Sequence, residues 1–327
     1  LTMDFQAEAT IVAELMKFAE AGNLYRGSKP VMWSPVEKTA LAEAEVEYED
    51  LSDSPQIDVA FEITEAPNAP ELVGAHAVIW TTTPWTIPVN QALAYGAEVE
   101  YTLVEAHGHK LLLAEALFDD AAERFGKDKV IPVGSGWRVL WEGKGSALAG
   151  AKARHPMHHL GGFYETPRPF LEGDFVTTDS GTGLVHMSPD HGEDDFALCK
   201  AHSINPVFAV DDAGVYRDDW LWLGADDLDA DGKPRRRSVI NKPFNSPEGP
   251  ICSDLRAAGA LLSASADYEH SYPHSWRSKA KVIYRCTPQW FVPMDTELSS
   301  TAHPEPDEGL SFTSSDGAEE SAALRQA

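Results

Sequence analysis

Ala77-Val78-Ile79-Trp80-Thr81-Thr82-Thr83-Pro84-Trp85-Thr86-Ile87-Pro88 decides how this chain is read. Its first four residues are apolar and β-prone, and they predict a buried strand. Pro84 and Pro88 have no N–H to give a sheet ladder, so the strand ends or bulges before them. The hydroxyls of Thr81, Thr82, Thr83 and Thr86 then stand on a stiff strand exit beside two tryptophans. That arrangement suits a small pocket that positions a water and judges side-chain size. It equally suits a sheet edge where Thr serves strand propensity, and the strip alone leaves both readings open.

Outward from this strip, short strands alternate with turns. Strand candidates are residues 57–63, 77–80, 99–104, 110–113, 137–141, 175–178, 184–187 and 281–286. Residues 42–49 alternate Ala-Glu-Ala-Glu-Val-Glu-Tyr-Glu, a period of two that predicts a half-buried strand. Helices are fewer. Over 4–21, Phe5, Ala9, Val12, Met16 and Ala19 share one face, and Gly22-Asn23 supplies the stop. A helix is expected at 114–125, halted by Gly126, and another near Asp194. Ser246-Pro247-Glu248 reads as a cap before Ile251, Leu255, Ala258 and Leu262. The expected class is mainly β with peripheral helices (α+β), its strands closed or nearly closed into a barrel.

With 327 residues the chain is long for one domain, and 43% hydrophobic content allows a sizeable core. No apolar run reaches the length of a membrane span. The opening Leu1-Thr2-Met3-Asp4-Phe5 shows neither secretory signal nor initiator Met, and fits a piece of a longer protein. Cys199, Cys252 and Cys286 are far apart and odd in number, so they form neither a disulfide framework nor a CxxC metal site. A cytoplasmic location is the expectation. The formal charge of −26 weighs against tight binding of nucleic acid. Arg235-Arg236-Arg237 and the group Arg277, Lys279, Lys281 and Arg285 run against that balance; they also read as solvated faces.

A second stretch, Gly181-Thr182-Gly183-Leu184-Val185-His186-Met187-Ser188-Pro189-Asp190-His191-Gly192-Glu193-Asp194-Asp195-Phe196, concentrates glycines, two histidines and four acids. By itself the Glu193-Asp194-Asp195 triplet favours a helix N-terminus. His186 alone reads as a structural residue, and Gly181 and Gly183 as a tight turn or a close approach. A metal hydrolase is the rival, yet the spacing matches no His-Glu-x-x-His pattern. His155, His158 and His159 cluster with nothing to tie them to this stretch.

Taken together, the two stretches resemble the editing domain of the isoleucyl-tRNA synthetases. That family carries Trp-Thr-Thr-Thr-Pro-Trp-Thr and then Gly-Thr-Gly-x-Val-His…Pro-x-His-Gly-x-Asp-Asp. Its valyl and leucyl relatives have Arg-Pro-Glu/Asp where this chain has Thr83-Pro84-Trp85. The likeness extends to Gly27-Ser28-Lys29-Pro30-Val31-Met32-Trp33, residues 40–48, His270-Ser271-Tyr272-Pro273 and Gln289-Trp290-Phe291, and so spans about residues 5–295. Ser188 and Asp190 depart from it, standing where many members have Ala and Gly.

The resemblance implies a β-barrel editing domain over 49–232 with connecting segments at 1–48 and 233–296, while the acids, Ser, Thr and Ala of 297–327 predict a mobile tail. It implies hydrolysis of the ester on valyl-tRNA(Ile), with Thr82, Thr83, Thr86, His186 and Asp195 as the catalytic set. Asp195 would hold the substrate ammonium. Trp85, Gly181, Thr182, Gly183 and His191 would bind substrate. The implied partners are the tRNA(Ile) 3′ end carrying valine and the remainder of the synthetase, with no membrane. A non-catalytic tRNA-end module and an acidic structural domain stay open beside it.

The family's ATP motifs, His-x-Gly-His and Lys-Met-Ser-Lys-Ser, are absent: His107-Gly108-His109 has the wrong spacing, and Ser278-Lys279-Ala280-Lys281 is not the loop. No cofactor is expected in this stretch, ATP and Mg²⁺ belonging to the full-length enzyme, and deacylation is expected here rather than amino-acid activation. Family members often hold a structural zinc on cysteines where this chain has Ser34, Glu37, His274 and Ser275. That donor set predicts no zinc.

Overall fold

A computed structural model describes residues 3–127, 131, 136–222 and 238–293. Helix α1 (Phe5–Glu20) precedes β1 (Tyr25–Ser34), β2 (Thr39–Ala40) and the long β3 (Val46–Glu65). Strands β4 (His76–Thr81), β5 (Ala92–Tyr95), β6 (Glu100–Ala106) and β7 (His109–Ala114) lead to α2 (Phe118–Lys127). Strands β8 (Arg138–Lys144), β9 (Lys152–Arg154), β10 (Arg168–Glu172) and β11 (Leu184–Met187) lead to α3 (Glu193–Ala201). Last come α4 (Lys242–Asn245), α5 (Pro250–Ala257), β12 (Leu261–Ser275) and β13 (Ile283–Phe291). The chain divides into two compact units: residues up to Lys29 with those from Thr287 onward, and Pro30–Cys286.

The main sheet runs β11-β5-β10-β9-β3-β4-β7-β6-β8, with β12 alongside β3; a smaller sheet runs β13-β1-β2. Strand β3 is the spine. Residues 57–62 pair antiparallel with β4, and β12 follows the strand from Val59 back to Val46. Both faces of the central strands are covered, which is why they read as nearly continuous apolar runs. Alternation divides those runs between two cores. Phe61, Ile79 and Leu112 enter the larger one, while Val78, Leu111 and Leu113 pack under Ala121 and Phe125 of α2.

The mainly β class with peripheral helices is what the chain adopts, but the sheet stays open. Strands β11 and β8 end its path. Just before β11, Ala114 N–H donates to Thr182 O at 2.8 Å, and Thr182 Oγ1 donates to Val78 O at 2.6 Å. These bonds stitch the approach to β11 onto β7 and β4 without a ladder. Gly181 and Gly183, with φ of +83° and +74°, turn the chain there out of strand geometry.

Several local expectations change. Residues 43–45 form a 3-10 turn, because Glu45 Oε2 accepts from Ala42 N–H at 3.0 Å; the strand begins at Val46. Residues 175–178 form no strand, since Val176 N–H is spent on a turn to Gly173 O at 3.3 Å. Gly126 lies inside α2. Ser246 does not cap α5; its hydroxyl donates to Pro243 O at 3.2 Å, and Gly249 takes the cap position. Helix α1 forms behind Asp4, whose side chain accepts from Gln6 and Ala7 N–H, yet none of its residues is buried. The Arg235-Arg236-Arg237 cluster and the tail from residue 297 lie outside the described residues.

Candidate functional site

Thr81 ends β4. Its hydroxyl accepts from Thr83 N–H at 3.0 Å and lies 3.0 Å from Thr83 Oγ1. Pro84 then opens a 3-10 helix that runs to Val89. Proline suits that place, because its φ is already helical and the first turn needs no N–H from it. The turn closes when Thr86 N–H and Thr86 Oγ1 both donate to Thr83 O, at 3.0 and 2.8 Å. Thr86 is thereby swung into the interior, while Thr82 and Thr83 stay half-buried.

Strand β11 brings the second stretch to the same place. It pairs antiparallel with β5, setting His186 opposite Leu93. His186 Nε2 lies 3.0 Å from Thr86 Oγ1. The Thr86 hydroxyl has one proton and gives it to Thr83 O, so the imidazole is the donor at Nε2. Nδ1 is then the lone-pair nitrogen, and it is buried without a partner. Burial lowers the His186 pKa to about 4, which keeps the ring neutral near pH 7.

Ser188 joins the acidic helix to this pair. Its hydroxyl donates to Thr86 O at 3.0 Å, and its N–H donates to Asp195 Oδ2 at 2.6 Å. Asp195 lies in the first turn of α3 behind the Gly192 cap. Glu193 and Asp194 of the same turn are exposed; Asp195 is half-buried and faces inward. Burial pushes its carboxyl up to about 6, against the opposing pull of the Ser188 N–H. A Cβ at position 192 would stand 2.7 Å from Asp195 Oδ1, so the glycine leaves room for this carboxylate.

The remaining predicted residues serve in different ways. Trp85 is buried, with its ring edge-on to His191 at 4.5 Å between centroids, and its carbonyl accepts from the Tyr216 hydroxyl. His191 Nδ1 donates to Tyr284 O at 2.7 Å, leaving Nε2 buried and unpartnered. The Thr182 hydroxyl is spent on Val78. Gly181 O accepts from Arg124 Nη2 at 3.1 Å, and Gly183 O from the Tyr101 hydroxyl at 2.6 Å. Thr83, Thr86, His186 and Asp195 thus belong to one hydrogen-bonded chain that also includes Ser188.

A cleft of about 200 Å³ opens beside this chain. Thr82, Thr83 and Trp85 line it, together with His270 and Tyr272 of β12 and with Asp53, Lys242 and Lys281. His186 and Asp195 are not in its walls; their link to it runs through Thr86 and Thr83. Sequence reasoning missed Ser188 as a hub, although its departure from the family pattern was a signal. It also missed Arg124, which donates to both carboxylate oxygens of the buried Asp58 at 2.8 Å.

The zinc positions meet in space but carry the wrong donors. Glu37 accepts from the Ser34 hydroxyl and, at 3.2 Å, from that of Ser275. His274 Nδ1 is bonded to Tyr272 O at 2.9 Å. Two hydroxyls committed to one carboxylate, with no thiolate, do not fit zinc. Among the described residues no group of three or more His, Cys, Asp or Glu is placed to hold a metal ion.

Comparison with known proteins agrees with the motifs. The family "tRNA synthetases class I (I, L, M and V)" matches residues 1–317. The isoleucine--tRNA ligase of Zymomonas mobilis is 58% identical over 302 residues, covering 92% of this chain and 30% of that protein. The isoleucine--tRNA ligase of Gluconobacter oxydans is 46% identical over 308 residues, covering 91% and 30%. Among solved structures, the P. knowlesi cytosolic leucyl-tRNA synthetase editing domain matches with a TM-score of 0.36 and 11% identity, over 46% of this chain and 64% of that one. The chain therefore spans about 30% of the length of the curated relatives it matches. On the family match along nearly its whole length, the chain belongs to the class I tRNA synthetases of the I, L, M and V group.

Proposed function

We propose that this segment hydrolyses the ester of valyl-tRNA(Ile), within a synthetase that charges tRNA(Ile) with isoleucine using ATP and Mg²⁺. The observation that carries this reading is the Thr86 Oγ1 to His186 Nε2 contact, which joins two distant family motifs into one cluster. An aminoacyl ester is already activated, so positioning a water and stabilising the developing oxyanion supply much of what its hydrolysis needs. The water oxygen attacks the ester carbonyl, the bond from the carbonyl carbon to the ribose oxygen breaks, and a proton passes to that oxygen.

The residues divide this work. The Asp195 carboxylate holds the free ammonium of the amino acid. At about 4 Å and an effective dielectric near 20, such a pair attracts by roughly 4 kcal/mol. The unpartnered His186 Nδ1 accepts a hydrogen bond from the attacking water, and the Thr82 and Thr83 hydroxyls direct it. His186 orients rather than deprotonates, because a ring with a pKa of about 4 is a weak base. A single pocket discriminates poorly against an amino acid smaller by one methylene, which is why a second, size-excluding site is useful.

The test is deacylation of valyl-tRNA(Ile) and isoleucyl-tRNA(Ile) by this chain. Valyl ester should be cleaved and isoleucyl ester spared. Equal rates would overturn the size reading, and binding of the tRNA end without cleavage would make this a docking module.

A further inference from the structure

The cleft beside the threonine strip carries charge that the reaction outlined above leaves unused. The chain has a net charge of −26, yet two lysines and one carboxylate line this cleft. The carboxylate, Asp53, is paired with Lys242. The second lysine has no such partner. Lys281 is half-buried, its ammonium lies 5.1 Å from the centre of the Tyr272 ring, and it forms no ion pair among the described residues. Burial holds its pKa below the usual lysine value, against the pull of the Asp53 carboxylate in the same cleft. One cleft therefore presents an ammonium that forms no ion pair among the described residues.

We propose that this cleft is an anion subsite for the last phosphodiester of a nucleic-acid 3′ end, with Lys281 as its cation. The inference rests on the deacylation reading. An aminoacyl ester has no free carboxylate, so the anions a few bonds from its carbonyl are the phosphates of its own nucleotides. Thr83 lines the cleft and also accepts from Thr86 in the hydrogen-bonded chain. An ester seated at Thr86 and His186 therefore brings its own nucleotide to the mouth of the cleft. Lys242, already bound to Asp53, can add to the field without being consumed by it.

The experiment measures binding of a short, unacylated RNA ending in CCA, with either a normal phosphodiester or a neutral methylphosphonate at the last linkage. Wild type should lose about tenfold in affinity with the methylphosphonate, the scale of one hydrogen bond to a charged group. Lys281→Ala should bind both oligonucleotides alike, at the weaker value, and Lys281→Arg should restore most of the difference. The slope of log affinity against log salt should be shallower by about 0.7 in Lys281→Ala, one phosphate contact on a single strand. Circular dichroism on each variant separates lost contact from lost fold, and Lys281→Gln replaces any variant that unfolds. Equal binding of the two oligonucleotides by wild type, or no binding at all, overturns the subsite. Binding that discriminates the linkages while valyl ester is not cleaved would leave the subsite standing and remove the deacylation reading.

Discussion

Asp195 is where charge and geometry meet most closely. Its carboxyl titrates near 6 because burial disfavours the anion, and only the ionised form attracts an ammonium. The ionised form dominates above that value and is lost below it. The rate of valyl-tRNA(Ile) deacylation should therefore fall as pH drops through about 6. Asp195→Asn should abolish that limb, and Asp195→Ala should lower kcat/KM tenfold or more, as expected for loss of a desolvated charge contact. An unchanged limb in the Asn variant would assign it to another group, for example Asp190, whose carboxyl is also raised to about 6. Gly192→Ala tests placement rather than charge. Its methyl would meet the carboxylate at 2.7 Å, so activity should fall while the thermal midpoint holds. At this scale the family motifs pointed to His186 and Asp195, which the structure joins to Thr86 in one hydrogen-bonded chain. They did not show that Ser188 joins Asp195 to Thr86, because that link needs the backbone of residue 188 as well as its side chain.

At the scale of elements, the loop over 181–183 is held by α2. Arg124 forks onto Asp58 of β3 and also reaches Gly181 O at 3.1 Å, while the Ser263 hydroxyl of β12 donates to the same carboxylate at 2.6 Å. Arg124→Ala leaves a buried carboxylate without its cation, which costs on the order of 3–5 kcal/mol. Urea unfolding should show that loss, and Arg124→Lys should recover only part of it, having no second arm for Asp58. A cost under 1 kcal/mol would mean that water takes the place of the guanidinium. The Ser34–Glu37–Ser275 cluster gives a second measurement. Glu37→Ala strips two fully buried hydroxyls of their acceptor and should cost about 1–3 kcal/mol, whereas a chelator should leave the melting temperature of the unaltered chain unchanged. Sequence reading found β4, β6, β7 and β11 because each is an apolar run bounded by turn residues. It missed β12, whose Ser-Ala-Ser-Ala-Asp-Tyr-Glu-His is too polar to signal a strand. That strand is fixed by register with β3, some 200 residues away, from Leu261↔Val59 to Ser275↔Val46. Local pattern carries no information about such a pairing.

For the molecule as a whole, the charge sets a boundary on what the chain can hold. At −26 it repels the body of a tRNA, and the proposed anion subsite accounts for one phosphate near the 3′ end. Repulsion acts over a Debye length of about 10 Å at 0.1 M salt and is screened as salt rises, whereas a direct lysine contact weakens with salt. These opposing trends separate the two forces. At low salt, intact tRNA(Ile) should bind this chain no more tightly than a short CCA-ended RNA, despite its many additional phosphates. As salt rises toward 0.15 M, the affinity of the short RNA should fall while the ratio of tRNA to short-RNA affinity increases, because the repulsion is lost first. Titrations of both ligands over that range, followed by fluorescence anisotropy, read the ratio directly. If intact tRNA binds tenfold tighter than the short RNA at low salt and loses that advantage steeply, a basic face grips the tRNA body, and the acidic balance of the sequence is no barrier to it.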